Sequence, residues 1–197
     1  MADFNRILIP SYCSAFKYPA GFDSYGLSGK GQFRSTTQVG RTWFEKYPPK
    51  KYNNQNLWAF LSYINQLWRN RTLFTIAHYH RQTPFGTISG SPTVDGAGQT
   101  GSSITVSAIT GTLKHGDIIK FGSGVNIVYD VAADVANGAT SIPISPPIFA
   151  GGSPANSAAI TYTGVKFQCV IDERYQPPEC DKDLVYRNLI VPFRESA

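Results

Sequence analysis

The stretch from Gly96 to Phe121, GAGQTGSSITVSAITGTLKHGDIIKF, decides how the chain is read. Gly96, Gly98 and Gly101 open it, Ile104, Val106 and Ala108 follow at period two, and Gly111 breaks the pattern. After Gly116-Asp117 it restarts as Ile118-Ile119-Lys120-Phe121, so the pattern predicts a strand, a turn and a second strand. Around this stretch, from about residue 85 to 164, charge is scarce and Gly, Ala, Ser, Thr, Val and Ile dominate. Both flanks are rich in Arg, Tyr, Trp and Phe. The contrast predicts a mainly β protein with one helix (α+β). A small β-barrel module (85–164) is expected as an insertion in a discontinuous β-sandwich or split-barrel outer module (33–84 plus 165–197), preceded by an extended N-terminal arm (1–32).

Working outward, strands are expected near residues 103–109, 117–122, 125–130, 141–145 (ended by Pro146-Pro147) and 158–163. Residues 81–100 carry Pro84, Gly86, Gly90, Pro92, Gly96 and Gly98 and read as a linker. Upstream, Gln32 to Tyr47 predict one or two strands broken at Gly40. Asn53 or Asn54 then caps a helix at about 54–69, in which Leu57, Leu61, Ile64 and Trp68 form a stripe widened by Trp58, Phe60 and Leu67. Arg69-Asn70-Arg71 reads as a polar turn, and Thr72–His80 as a strand. Downstream, VKFQCVIDER (165–174) and Tyr186–Arg194 read as strands that pair with those of residues 33–80.

A chain of 197 residues accommodates one domain or two small ones. Charged residues make up 16% and aromatics 13%, a balance that suits a surface covered by neighbours. Residues 1–84 hold eleven Lys and Arg against three Asp and Glu (+8). Residues 85–165 hold two against four (−2), and residues 166–197 five against six (−1). The basic first segment suits nucleic acid, an anionic surface or an acidic protein partner, and charge alone does not choose among them. Cys13, Cys169 and Cys180 give neither a disulfide framework nor a metal knuckle. MADFNRILIP lacks the apolar run of a signal peptide, and no stretch has the length of a membrane span, so folding in a reducing cytoplasm and no membrane partner are expected.

The candidate chemistry is sparse. GAGQTG has the spacing of a dinucleotide loop, but a linker precedes it and a strand follows, so the glycines are expected to serve tight turns. His78 and His80, two apart on a predicted strand, would face one way as zinc ligands do, without a third ligand nearby. Asp172, Glu173, Glu179, Asp181 and Asp183 read as solvated loop charges or partners for the basic segment. Neither an enzymatic activity nor a cofactor or metal is expected, and nucleic acid is not expected as the main partner. The candidate interface residues are Tyr12, Phe16, Tyr18, Phe22 and Tyr25 as anchors of the arm, with Arg34, Arg41, Lys50, Lys51, Arg69 and Arg71 as a basic contact surface.

The order of these segments resembles a known family. A Trp-bearing strand, Pro-Pro, the helix with LWAFL, NRTLFTI, the linker into GAGQTGSS, GDIIKFG, the run DVAADVANGAT, and the terminal FQCVID and VPFRE are similar to small tailed-bacteriophage structural proteins of the distal tail or baseplate. The likeness covers about residues 33–195. The chain departs from it in the Tyr-rich basic N-terminal 32 residues and in Asn70, where family members tend to carry Gly. The resemblance implies a virion protein assembled in the host cytoplasm. It would be a ring-forming adaptor, a hexamer of identical copies, linking the tail tube to baseplate or tail-tip components such as tube, hub or tape-measure proteins. Two alternatives stand beside it: a neck or tail-completion protein, and a carbohydrate-binding module that uses Phe121, Tyr129, Phe149 and Tyr162 at the host surface.

Overall fold

A computed structural model of the chain describes residues 1–14, 22–25, 31–34, 41–122, 127–149 and 151–196, with the backbone alone for 22–25 and 31–34. The fold is mainly β with one helix. Two compact units are present: unit 1 comprises residues 1–76 and 168–197, and unit 2 residues 77–167.

Unit 1 is built on strands β1 (Tyr12–Cys13), β2 (Phe22–Tyr25), β3 (Gly31–Arg34), β4 (Thr42–Lys46) and β5 (Lys50–Lys51), helix α1 (Gln55–Arg69) and strand β6 (Phe74–Ala77). Two-residue β5 follows a Pro-Pro pair, and Asn54 then starts α1: its side-chain oxygen accepts from Leu57 N–H at 3.0 Å, which satisfies one of the helix's first free donors. The helix buries Leu57, Phe60, Leu61, Ile64 and Leu67 at i, i+3, i+4, i+7 and i+10. Trp58 lies about 100° around the axis from Leu57 and is exposed, so it does not widen the stripe as expected. The helix ends in a Schellman pair, Thr72 N–H to Leu67 O at 3.0 Å and Arg71 N–H to Trp68 O at 3.2 Å. The left-handed residue of this ending is Arg71 (φ 49), whereas Asn70 keeps a right-handed backbone.

Unit 2 contributes β7 (Gly101–Thr105), β8 (Ile118–Phe121), β9 (Val128–Val131), β10 (Ser141–Ile148) and β11 (Ile160–Thr161). The chain finishes with β12 (Lys166–Ile171), β13 (Val185–Tyr186) and β14 (Ile190–Glu195). The sheet of unit 1 has the order β1-β4-β14-β12-β6, so the C-terminal strands lie between strands from the first half of the chain. On β4 and β14 alternate residues turn inward. Trp43, Val191 and Phe193 are buried there, and ring centroids lie 4.7–5.5 Å apart across Tyr47–Phe60, Phe4–Phe74, Phe4–Phe193 and Trp43–Phe193.

Two expectations about the first residues are overturned. Residues 1–14 are not a free arm, because Phe4, Leu8 and Cys13 are buried and β1 pairs with β4. Within the segment expected as an extended arm, β2 pairs with β3 from Phe22↔Arg34 to Tyr25↔Gly31. Backbone pairing needs no alternation of side chains, so this hairpin left no hydrophobic pattern to read.

The unit 2 sheet runs β11-β8-β9-β10-β7 over a core that includes Ile104, Leu113, Ile119, Val128, Val131 and Ile142. Strand β10 continues through Pro146-Pro147, where a stop was expected. Its pairing with β7 slips between Pro143 and Ile148, and it meets β9 only at Ile144 and Ser145, so the prolines occupy positions with no ladder donor to lose. Two backbone segments cross at close range: a Cβ on Gly86 would stand 2.1 Å from Thr112 O, and one on Gly111 (φ 87) 2.2 Å from Thr87 O. Gly138 also has a positive φ of 81 but open space around it. We expect Gly111→Ala to destabilise unit 2 by about 3 kcal/mol, the left-handed cost plus overpacking, and Gly138→Ala by only about 1 kcal/mol. Native-state hydrogen exchange of the β7 and β9 amides reads the difference, and equal costs would remove the role given to the crossing.

Candidate interaction surface

The basic and acidic residues of unit 1 fall into two groups, those locked inside and those left outside. Arg41, expected at a contact surface, is 0% exposed. Its guanidinium donates to both Glu195 carboxylate oxygens, at 3.1 and 3.2 Å. The correction has a physical reason: Arg41 opens the run into β4 opposite the end of β14, where the buried Glu195 needs a counter-charge. Glu45, also fully buried on β4, accepts from Arg6 at 2.6 Å and from the Tyr47 hydroxyl at 2.7 Å. Burial first, and then the neighbouring carboxylate, pushes the Tyr47 hydroxyl far above its ordinary range, so it stays a donor.

Asp172 behaves the same way. Burial pushes its carboxyl up, but hydrogen bonds from the Arg174 side chain and backbone outweigh that and hold it below the usual aspartate range. It was expected as a solvated loop charge and instead is almost covered, at the end of β12. Glu173 is exposed and shared by Arg71 at 2.9 Å and Arg194 at 3.5 Å. Tyr175, packed edge-on against Trp68 at 5.6 Å, has its hydroxyl pushed up to about 12 by burial.

In unit 2 the buried carboxylate is Asp117. Its oxygens accept from the backbone N–H groups of Phe85 (2.6 Å), Gly86 (3.2 Å) and Lys114 (2.7 Å), tying the chain at residues 85–86 to the turn before β8. The Gly96–Gly101 loop is closed by Gln99, whose amide oxygen accepts from Thr105 N–H at 2.6 Å and whose nitrogen donates to Asp95 O, Gly96 O and Thr105 O. With positive φ at all three glycines and strand β7 following, the loop is a turn and not a phosphate cradle. His78 and His80 do not share a strand face either: β6 ends at Ala77, His78 is buried, and His80 is exposed in the following turn. Phe121 and Tyr129, named for a glycan surface, are core residues whose rings pack at 5.1 Å. Phe149 is exposed and Tyr162 is partly so.

The remaining expected interface residues do not form one patch. Tyr12 is exposed on β1 with its ring 5.8 Å from Phe44. Phe16 and Tyr18 lie outside the described residues, as do the side chains of Phe22, Tyr25 and Arg34. Lys50 and Lys51 sit at the N-terminal end of α1, and Arg69 and Arg71 at its C-terminal end, roughly 20 Å away for a helix of this length. What the fold brings to the lysines is aromatic. Tyr52, Trp58 and Tyr186 form a triangle of rings, Tyr52–Trp58 at 5.1 Å and Trp58–Tyr186 at 5.8 Å, both edge-on, with Tyr52 and Tyr186 stacked at 6.5 Å.

Two bonds fix the triangle: the indole N–H of Trp58 donates to Tyr52 O at 2.7 Å, and β13 pairs Tyr186 with Lys50 and Val185 with Lys51. Tyr52 N–H in turn donates to Leu184 O at 2.8 Å, which ties the turn at Leu184 to the backbone beside the triangle. Tyr52 is 49% exposed, Trp58 42% and Leu184 61%. Leu184 holds a left-handed backbone (φ 56), a conformation that costs a branched residue about 1–2 kcal/mol relative to glycine. Neither Trp58 nor Leu184 was expected at the surface or in a contact. Trp58's one-position offset from the helical stripe was the available signal, while Leu184 gave none.

No protein-family model matches this chain, and no curated protein matches it. The buried carboxylates yield a direct test of their structural role. We expect Asp117→Asn, which keeps the shape but leaves one oxygen for three donors, to cost about 2 kcal/mol in unit 2 by hydrogen exchange while strands of unit 1 keep their protection. Unchanged protection at β8 would contradict it.

Proposed function

We propose that the protein is a structural virion subunit of a tailed bacteriophage, a ring-forming adaptor of the distal tail or baseplate. In this reading unit 1 carries the contact between copies and unit 2, as an inserted β module, engages another tail component. The observation that carries it is the allocation of side chains in unit 1. The buried carboxylates Glu45, Glu195 and Asp172 are each engaged by an arginine of the same unit, while Tyr12, Tyr52, Trp58 and Leu184 are left at the surface. Large aromatic and aliphatic side chains in exposed patches suit surfaces that neighbours cover. The segment order resembling distal tail proteins supplies the kind of neighbour. A closed ring then needs two different patches on each copy, one fitting the other on the next subunit.

Electron microscopy and mass measurement of the purified chain over rising concentration test the reading. The expected result is closed rings of sixfold symmetry. A monomer at every concentration, or open filaments, would contradict it.

A further inference from the structure

Tyr52 and Trp58 of the ring triangle are exposed, Tyr186 is half-buried, Leu184 is exposed in the turn beside them, and charged residues flank the group. The turn that displays Leu184 is tied down internally: Asp181 accepts from the backbone N–H groups of Asp183 (3.0 Å) and Val185 (3.1 Å), Leu184 N–H donates to Asp181 O at 3.1 Å, and Arg187 pairs with Asp181. A glycine would adopt this backbone without strain. Leu184 holds it while 61% exposed. The acidic groups of the turn are also engaged, since Arg187 takes Asp181 and reaches Asp183 at 3.6 Å. Lys50, Lys51 and Lys182 have no carboxylate partner among the described residues, against Glu179 as an unpaired carboxylate of the same hairpin. The rim therefore carries surplus positive charge around an apolar centre.

We infer that this face of unit 1 is a docking site for an acidic polypeptide segment of another protein, one that presents an apolar side chain to the aromatic triangle and carboxylates to Lys50, Lys51 and Lys182. Trp and Tyr at the centre of a patch with charges at its edge are the usual make-up of an interface hot spot. A single-stranded nucleic acid also uses stacked aromatics and lysines. However, Leu184 offers no face on which a base could stack, so the composition favours protein. This inference rests on the reading of unit 1 as a surface covered by neighbours and names the chemistry of one of them.

Fluorescence anisotropy of the full chain with labelled short peptides tests it. The probes are peptides of alternating Leu and Glu, of Leu and Lys, and of Ser and Glu, together with an oligothymidylate. The Leu/Glu peptide is expected to bind at least about tenfold more tightly than the other three. Leu184→Gly is expected to weaken that binding about tenfold while raising the melting temperature, because it removes the left-handed strain together with the anchor. This pairing of tighter fold and weaker binding separates a contact role from a folding defect, and Trp58→Ala should weaken binding further.

Equal binding of the Leu/Lys peptide, no loss in Leu184→Gly, or no binding of any peptide would overturn the proposal. Preference for the oligothymidylate would assign the face to nucleic acid. Self-association that Leu184→Gly abolishes would assign it to a second copy of the chain. Rings that persist while no peptide binds would overturn this inference alone, and peptide binding without rings would overturn only the ring reading.

Discussion

Everything in unit 1 depends on a buried carboxylate, that of Glu45, being matched from two directions. Strand β4 puts Glu45 on the inner face between Trp43 and Tyr47, where an unpaired charge would be intolerable. The Tyr47 hydroxyl supplies one hydrogen bond and Arg6, from the start of the chain, supplies the ion pair. Pairing Arg6 with Glu45 draws in its flanks: Phe4 enters the aromatic core and Leu8 is covered. The backbone N–H of Phe4 donates to Thr75 O, and Asp3 accepts from the Thr75 hydroxyl on β6. Arg41 and Glu195 repeat the arrangement where β4 meets the end of β14, so both edges of the chain's length are fastened to one strand.

This use of charge bears on function. A carboxylate that already accepts from an arginine, as Glu45, Glu195 and Asp172 do, or from three backbone donors, as Asp117 does, is committed to holding segments together. Apolar burial alone would leave these junctions free to slide, because sheets tolerate changes in register where only side-chain pattern decides. The charged anchors fix which segment lies where, and the surface is then left to the aromatic and lysine residues around Tyr52. The proposed tail role rests on that division between committed charges and exposed aromatic side chains.

The sequence disclosed those elements whose side chains repeat with a period. The helix stripe from Leu57 to Leu67, the alternation through Phe167, Cys169 and Ile171, and the restart after Asp117 each map to an element because burial on one face forces periodicity. It hid features that arise from pairing between distant residues. Arg41 reads as a surface cation until Glu195, far along the chain, is placed opposite it. Residues 1–14 read as an arm because their hold on the sheet, an ion pair, backbone bonds to β4 and β6 and the scattered apolar side chains Phe4, Leu8 and Cys13, has no period along the sequence. Strand β10 reads as stopped by Pro146-Pro147 because the break in its ladder is a property of its neighbours. Of the residues grouped around Tyr52, Lys50 and Lys51 stand out in the sequence by charge, whereas Tyr186 and Leu184 join them only through the β5–β13 pairing.

The measurement that bears most directly on this account is a double-mutant cycle between Arg6 and Glu45, with Arg6→Met, Glu45→Gln and both together. Chemical unfolding followed by tryptophan fluorescence suits it, since Trp43, Trp58 and Trp68 all belong to unit 1. The account predicts that each single change costs about 3 kcal/mol and that the pair recovers much of this, a coupling of roughly 2 kcal/mol between the first residues and β4. Additive effects with a coupling below about 0.5 kcal/mol would contradict it, and would return the N-terminal residues to the status of an arm.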